Sequence, residues 1–198
     1  MRDVNNDGVP EVIVEGANGH FPFPAIYGWR DGGLRPLGLF EGYKAEPLLV
    51  DLDGDEVLEV LVGSYCVNTS DLLQRLHVGY LHTHAAKWEL GRWGAEAGEY
   101  GRVTGSAAIG LFSLGAQDAQ SPGRQPCLEA LGWMENEDVV PILIEALSCE
   151  DGDIGGVAIS ALARIGGSEA AAALRRVAKS DPDEALRSFA QDVLDRLW

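Results

Sequence analysis

The sequence contains two copies of one acidic stretch: Asp3-Val-Asn-Asn-Asp-Gly-Val-Pro-Glu-Val-Ile-Val14 and Asp51-Leu-Asp-Gly-Asp-Glu-Val-Leu-Glu-Val-Leu-Val62. The second copy begins 48 residues after the first. Each copy places carboxylate or amide side chains at alternate positions of a turn, and then continues into a run of β-branched and other aliphatic residues. Such a run is typical of a short strand. The repeat therefore predicts two similar β-units in the first half of the chain.

The second half of the chain has a helical spacing of apolar residues and repeats at about 31 residues. Three apolar positions carry this repeat: Ala130, Leu131 and Leu143 recur as Ala161, Leu162 and Leu174. Each unit is typical of two helices joined by a short turn, and a stack of such units is an α-solenoid. Between the two halves, residues 106–114 are apolar and fit either a buried helix or a strand.

Composition limits the classes of function. The chain has 198 residues, with 31 acidic and 15 basic side chains and a formal net charge of -16. Such a charge repels phosphate backbones, so we expect no nucleic-acid partner. No apolar run approaches the roughly 18 residues that a membrane span needs, so we expect no membrane insertion. The start lacks the apolar core of a signal peptide. We expect a cytoplasmic protein if the chain is whole, or an extracellular or periplasmic one if it is an N-terminally truncated fragment, and the compartment stays open.

The two acidic stretches resemble the calcium loops of FG-GAP/VCBS (integrin α-type) repeats, in which acidic or amide residues alternate before a strand. The resemblance covers residues 1 to about 100. We call residues 3–11 loop one and residues 51–59 loop two. Loop two departs from the family pattern because Glu56 stands where a glycine is expected, whereas loop one keeps Gly8. A non-glycine residue is disfavoured in the left-handed conformation of a sharp turn, so we expect loop one to be the better site.

Calcium prefers six to eight oxygen ligands, which such a loop can supply from carboxylates, an amide and a backbone carbonyl. The alternative is a solvated Asp/Asn/Gly turn that binds no metal. Two copies in register favour Ca²⁺ over that alternative. The predicted metal ligands are Asp3, Asn5, Asp7, Val9 and Glu11 in loop one, and Asp51, Asp53, Asp55, Val57 and Glu59 in loop two.

Residues 123–198 resemble HEAT-like repeats of the phycobilisome-lyase type. The resemblance rests on the apolar pattern of residues 127–132, 139–143, 158–166 and 171–174. These positions encode packing between helices and not chemistry. The resemblance implies a helical-repeat fold. It leaves open whether the protein is an adaptor or a chromophore lyase, because the repeat group contains both.

Together these patterns predict an α+β protein in three parts. Residues 1–104 form an antiparallel β region of two propeller-blade-like repeats, residues 105–122 form a junction, and residues 123–198 form a short α-solenoid of HEAT-like helical pairs. Two blades and about two and a half helical units are fewer than either architecture needs alone. We therefore expect the β region to pack on the helices near the apolar stretch of the junction.

The remaining candidate residues carry weaker signals. His82 and His84 alternate as a strand pair would, but surface histidines are the simpler interpretation. Trp29 and Trp88 align loosely between the two β-units, at a spacing of 59, and together with Trp93 are predicted to be core residues. Motifs for a nucleophile elbow, a zinc protease or a phosphate loop are absent from the sequence.

These observations predict a non-enzymatic, calcium-stabilised protein-interaction module, with a protein partner that the sequence does not identify and with no catalytic residues. The oligomeric state is left open. The alternative is a chromophore lyase-like enzyme, or an enzyme accessory, that uses the helical repeats.

Overall fold

A computed structural model describes residues 1–17, 22–39, 48–65, 86–94, 98–134 and 136–198. The β half contains two antiparallel sheets. Sheet one has the strand order β1 (Val12–Ala17), β2 (Pro22–Arg30) and β3 (Gly33–Leu39). Sheet two has the order β4 (Leu48–Val50), β5 (Glu59–Tyr65), β6 (Ala86–Gly94) and β7 (Glu99–Val103). The fold class is α+β, as the sequence predicted.

Six α-helices follow in the described residues: α1 (Gly105–Gln117), α2 (Arg124–Trp133), α3 (Val140–Ala146), α4 (Gly152–Ile165), α5 (Gly167–Ser180) and α6 (Glu184–Leu197). A 3-10 turn, Glu137–Val139, precedes α3. The ambiguous stretch of the junction is therefore helical. Helix α2 packs against α4, and α5 packs against α6.

The two sheets stack face to face, and sheet two lies between sheet one and the helices. Val60 and Val62 of β5 point towards sheet one and join a small core with Ile26 of β2. Leu61 and Leu90, which lie opposite each other in β5 and β6, point the other way and join the large core of the helices. Neighbouring propeller blades stack in this manner, although the two sheets of the described residues form no closed propeller ring.

One core runs across the junction, as the sequence predicted. Leu52 of loop two is 6% exposed and packs in the same cluster as Phe112 of α1 and Cys127 of α2. The position 48 residues earlier is Val4, which is fully buried between the two sheets. Each loop therefore inserts one aliphatic side chain into the next layer of the molecule. Val4 lies between the two sheets, and Leu52 ties the β half to the helical half.

Strand pairing corrects the alignment of the two β-units. Val12 pairs with Tyr27, and Val60, its counterpart 48 residues later, pairs with Gly91. Strand β2 of the first unit therefore matches β6 of the second unit at a spacing of 64 residues. At this spacing Trp29 corresponds to Trp93 and not to Trp88. The prediction that Trp29 is a core residue is also wrong, because its side chain is 61% exposed.

Two aspartates shape the start of helix α6. Its N-cap is Asp183, whose Oδ1 accepts a hydrogen bond from Ala185 N at 2.8 Å. Asp181 accepts one from Asp183 N and shapes the preceding turn. The acidic turns between helices therefore serve as caps.

His82 and His84, which the sequence analysis interprets as surface histidines, lie outside the described residues.

Candidate metal centre

Both acidic loops are closed by a buried glutamate. Glu11 and Glu59 are each 0% exposed. The carboxylate of Glu59 accepts a hydrogen bond from Leu52 N at 2.9 Å, and that of Glu11 accepts one from Val4 N at 3.0 Å. In each loop the bond joins the glutamate to a backbone amide seven positions earlier. The glutamate thereby fixes the loop and holds a carboxylate in its interior.

Aspartates hold the turn itself in the same way in both loops. In loop two, Asp51 Oδ2 accepts from Glu56 N at 3.0 Å and Asp55 Oδ1 accepts from Val57 N at 2.9 Å. Loop one makes both bonds at positions 48 lower, at 2.9 and 2.8 Å. These are the local side-chain bonds that favour aspartate in turns. The repeated sequence therefore produces a repeated backbone.

The backbone enters the left-handed region at the same two positions of each loop. In loop one these residues are Asn6 (φ 55°) and Gly8 (φ 84°), and in loop two they are Gly54 (φ 81°) and Glu56 (φ 67°). Each loop thus contains one glycine and one larger residue, in opposite order. Glu56 adopts the turn conformation that its side chain disfavours. The reason for preferring loop one as the better-formed turn therefore does not hold.

One arginine forms ion pairs with the carboxylates of each loop. Arg92 of β6 places Nη2 2.7 Å from Asp53 and 2.8 Å from Asp55, and its Nε lies 3.5 Å from Glu59 Oε1. In loop one, Arg30 of β2 makes one close pair, at 2.7 Å, with Asp7. The guanidinium groups offset part of the negative charge of each loop. Loop two still holds five carboxylates, including that of Glu56, against one arginine.

Sequence reasoning missed both arginines, because they come from different register positions. The pairing of β5 with β6 places Arg92 opposite Glu59, whereas the residue opposite Glu11 is Gly28. Arg30 reaches its loop from two positions further along β2. The available signal was a neighbouring Arg and Trp in the second strand of each unit, at Trp29–Arg30 and Arg92–Trp93.

The interior of loop one is satisfied by an amide. Asn5 is 7% exposed, and its Nδ2 donates to Asp7 Oδ2 at 3.2 Å and to Glu11 Oε1 at 3.4 Å. Its Oδ1 accepts from Asp7 N at 3.1 Å. Asn5 therefore acts as a donor between carboxylates, and its amide oxygen is already used. Within loop one, Asp3 Oδ1 is buried and accepts no hydrogen bond from the residues that the structure describes.

The interior of loop two has an aspartate where loop one has the amide. One carboxylate oxygen from each of Asp51, Asp53 and Glu59 lies within 4.8 Å of the other two. Glu59 Oε1 is buried and accepts no hydrogen bond from the described residues. The structure thus brings together three of the predicted ligands of loop two, while Asp55 is exposed and paired with Arg92.

The electrostatics of loop two reflect this crowding. Burial, together with the nearby charges of Asp53 and Asp55, raises the pKa of Glu59 to about 7. The Leu52 N–H and Arg92 act in the opposite direction. A buried carboxylate in these surroundings requires a proton or a cation to balance its charge.

The two loops are connected through Tyr100 of β7. Its hydroxyl lies 2.9 Å from the carbonyl oxygens of both Val4 and Leu58, to either of which it can donate its proton. Leu58 N donates to Val4 O at 2.9 Å, and Asn6 Nδ2 donates to Glu56 Oε2 at 3.0 Å. Burial, with the charges of Glu11 and Glu59, raises the pKa of Tyr100, so the phenol remains a donor. The loops therefore lie side by side.

Comparison with known proteins identifies the helical half. Residues 110–195 match the family of HEAT repeats. This match confirms the HEAT-like nature of the helical half, and HEAT repeats indicate a protein-interaction scaffold. No curated protein matches the chain. The resemblance of residues 1–104 to FG-GAP/VCBS repeats stays a prediction. None of the helices in the described part of the chain combines the length and the apolar character that crossing a bilayer requires.

Proposed function

We propose that the protein is a non-enzymatic scaffold whose β half is stabilised by Ca²⁺ and whose HEAT repeats bind a protein partner. The calcium part of this proposal rests on one observation. Glu59 Oε1 is fully buried and accepts no hydrogen bond from the described residues, and the Glu59 carboxylate lies beside two further carboxylates. Arg92 Nε, 3.5 Å from that oxygen, supplies a nearby positive charge but no hydrogen bond. A buried oxygen without a hydrogen bond is costly, and a cation would offset that cost.

The residues of loop two fit a calcium ion. Ligands of one Ca²⁺ lie at about 2.3–2.6 Å from the metal, so two ligand oxygens are at most about 5 Å apart. The carboxylates of Asp51, Asp53 and Glu59 meet this limit. These three residues would hold the ion, with Asp55 and the carbonyl of Val57 as further candidates. The ion would supply positive charge at the point where the buried Glu59 meets the two aspartates.

Arg92 is the internal competitor of such an ion, because its guanidinium pairs with the same carboxylates. A bound Ca²⁺ would share or replace these contacts at Asp53 and Glu59. Loop one is the weaker site in this proposal, since the Asn5 side chain already supplies donors to its carboxylates. Mg²⁺ fits less well, because it demands a strict octahedron at about 2.0–2.1 Å.

The helical half offers a groove between α3 and α5 as the contact surface. It is lined by apolar residues, including Ile144, Leu147 and Val177, and by charged residues at its rim, including Glu150 and Arg176. Apolar side chains with charged residues at the rim suit a protein segment.

Cys127 gives no support to the alternative of an enzyme. Burial raises the pKa of its thiol to about 12, which makes the thiol a poor nucleophile.

Calorimetric titration with Ca²⁺ tests the calcium part of the proposal. We expect saturable binding to the wild-type protein, weaker binding of Mg²⁺, and loss of the stronger site in the Asp53→Asn variant. That variant gives loop two the amide that loop one already has. Asp192→Asn removes the same charge from an exposed position of α6 and should leave binding unchanged. Absence of binding heat at millimolar calcium would contradict the proposal.

Affinity capture tests the partner surface. Arg176 is exposed at the rim of the groove, so an Arg176→Glu variant reverses a charge there without disturbing the core. A partner of the groove should be retained by the wild-type protein and by an Arg196→Glu control, and lost by Arg176→Glu. A partner that all three forms retain equally binds elsewhere.

A further inference from the structure

The outer face of sheet one is apolar, which is unusual for a chain with a net charge of -16. The strand register places its side chains in rows, with Val12 beside Tyr27, and Trp29 beside Leu34. The exposed fractions are 43% for Val14, 61% for Trp29 and 50% for Leu34. The described side chains of this face are Val12, Val14, Ala25, Tyr27, Trp29, Leu34 and Pro36. None of the seven is acidic or basic.

The equivalent face of sheet two is an interface within the molecule. Trp93 and Tyr100 of that face pair with each other across β6 and β7, with their ring centroids 5.4 Å apart, and join the core between the sheets. Their counterparts in sheet one are Trp29 and Leu34. The exposed face of sheet one is therefore the repeat of a surface that is buried one unit later.

The outer face nevertheless differs from its counterpart in hydrogen bonding. Sheet two holds the neighbouring loop through two donors, Leu58 N and the Tyr100 hydroxyl, which both reach Val4 O. The residue 48 positions before Leu58 is Pro10, which has no N–H, and the counterpart of Tyr100 is Leu34, which has no hydroxyl. A further unit docked in the same geometry would leave its loop carbonyl buried without a donor. The outer face therefore suits an occupant that presents an apolar surface and no protruding loop.

The same face of a second copy meets these conditions. In the described residues it is apolar, it carries no protruding loop, and it lacks the charges that would make two acidic chains repel each other at the contact. We propose that two copies of this chain associate through the outer faces of sheet one, related by a twofold axis. In such an isologous interface each face is complementary to itself. Trp29 is the expected anchor, since exposed tryptophans dominate the energetics of small interfaces.

The proposal is independent of the metal site, because the seven residues of the face lie outside the cluster of Asp51, Asp53 and Glu59. A face of seven described side chains is small for a stable complex, since specific interfaces use about 20–30 residues per partner. We therefore expect a reversible dimer with a Kd in the range of about 10 to 100 μM.

Sedimentation equilibrium tests the proposal over protein concentrations from about 5 to about 500 μM, which bracket that Kd. The dimer fraction of the wild-type protein should rise with concentration in calcium and in chelator alike. Trp29→Glu and Leu34→Glu should each remain monomeric throughout. Leu114→Glu and Trp198→Glu change side chains that are each 48% exposed in the helical half, and should dimerise as the wild type does.

Circular dichroism spectra verify that each variant is folded, and Leu34→Glu provides a second test if Trp29→Glu is not. The proposal is wrong if the wild-type protein is monomeric across the whole range. It is also wrong if the dimer survives both face substitutions, or if the two control substitutions disrupt it to the same extent.

Discussion

Loop one and loop two share a backbone and differ in how their buried charge is balanced. Both loops bury a glutamate, and both take left-handed conformations at the same two positions. In loop one, Asn5 donates to two carboxylates, so most of the interior is hydrogen-bonded. In loop two, Asp53 replaces that donor, and a buried oxygen of Glu59 accepts no hydrogen bond from the described residues. The replacement of the Asn5 amide by the Asp53 carboxylate is therefore the difference on which the proposed calcium site of loop two depends.

The largest expected effect is the removal of a buried glutamate. We expect Glu11→Ala to lower the free energy of unfolding by about 3 kcal/mol, because it leaves Val4 N without an acceptor and removes one of the two carboxylates to which the Asn5 amide donates. Glu59→Ala should cost about 1 kcal/mol less in chelator, since it strands only Leu52 N and relieves crowding among carboxylates. Urea unfolding of both variants measures the difference. Equal losses would show that the two interiors do not differ.

The turn glycines should behave alike in the two loops. A Cβ at Gly8 or Gly54 would meet no atom within 4 Å, so only the backbone conformation opposes it. We expect Gly8→Ala and Gly54→Ala each to lower stability by about 1 to 2 kcal/mol. Gly33→Ala is the matched control, because Gly33 has the same open space without a positive φ. A loss at Gly33 as large as at the other two would refute the conformational explanation.

The arginines should affect calcium binding unequally. Arg92 pairs with Asp53 and Asp55 of loop two, whereas the close pair of Arg30 is with Asp7 of loop one. We expect Arg92→Gln to raise the calcium affinity of loop two about tenfold, which corresponds to about 1.4 kcal/mol. Arg30→Gln should leave that affinity unchanged. Calcium titrations of both variants make the comparison, and an unchanged affinity in Arg92→Gln would exclude direct competition.

The smallest expected effect comes from the larger residues in left-handed conformations. We expect Glu56→Gly to raise stability by about 0.5 to 1 kcal/mol, and Asn6→Gly to change it by a few tenths, because asparagine tolerates this conformation better. Both substitutions remove the same hydrogen bond between Asn6 and Glu56. The difference between their unfolding free energies therefore measures the excess strain of Glu56 over Asn6, and a zero difference would contradict that excess.

The contrast between the loops shows what the sequence could predict. The 48-residue repeat was sufficient for the loop positions and for the strands that follow, because both depend on local turn chemistry and alternation. The position of Arg92 beside its loop depends on which residue of β6 pairs with β5. The extra residues between these two strands hide that register in the sequence. For the same reason the sequence aligned Trp29 with Trp88 and not with Trp93. The helical half was predictable because HEAT packing follows from a regular apolar spacing.

The outcome for Glu56 illustrates a different limit. The sequence showed that a glutamate occupies a position that favours glycine, but not that Gly54 stands at the other left-handed position of the same loop. Local preferences disagree at that position, and the repeated hydrogen bonds of Asp51 and Asp55 decide the conformation. The side-chain hydrogen bonds of the loop therefore outweigh a conformational penalty of about 1 kcal/mol at Glu56.

The most direct test of calcium binding in loop two is the thermal unfolding of the wild-type protein and Glu59→Gln, each in chelator and in millimolar calcium. A glutamine keeps the bond to Leu52 N and adds a donor, as Asn5 does in loop one. In chelator, Glu59→Gln should therefore melt at a higher temperature than the wild type. In calcium the order should reverse, because the wild type gains a bound ion that the variant has lost a ligand to hold. If Glu59→Gln is the more stable protein under both conditions, loop two is a turn and not a calcium site.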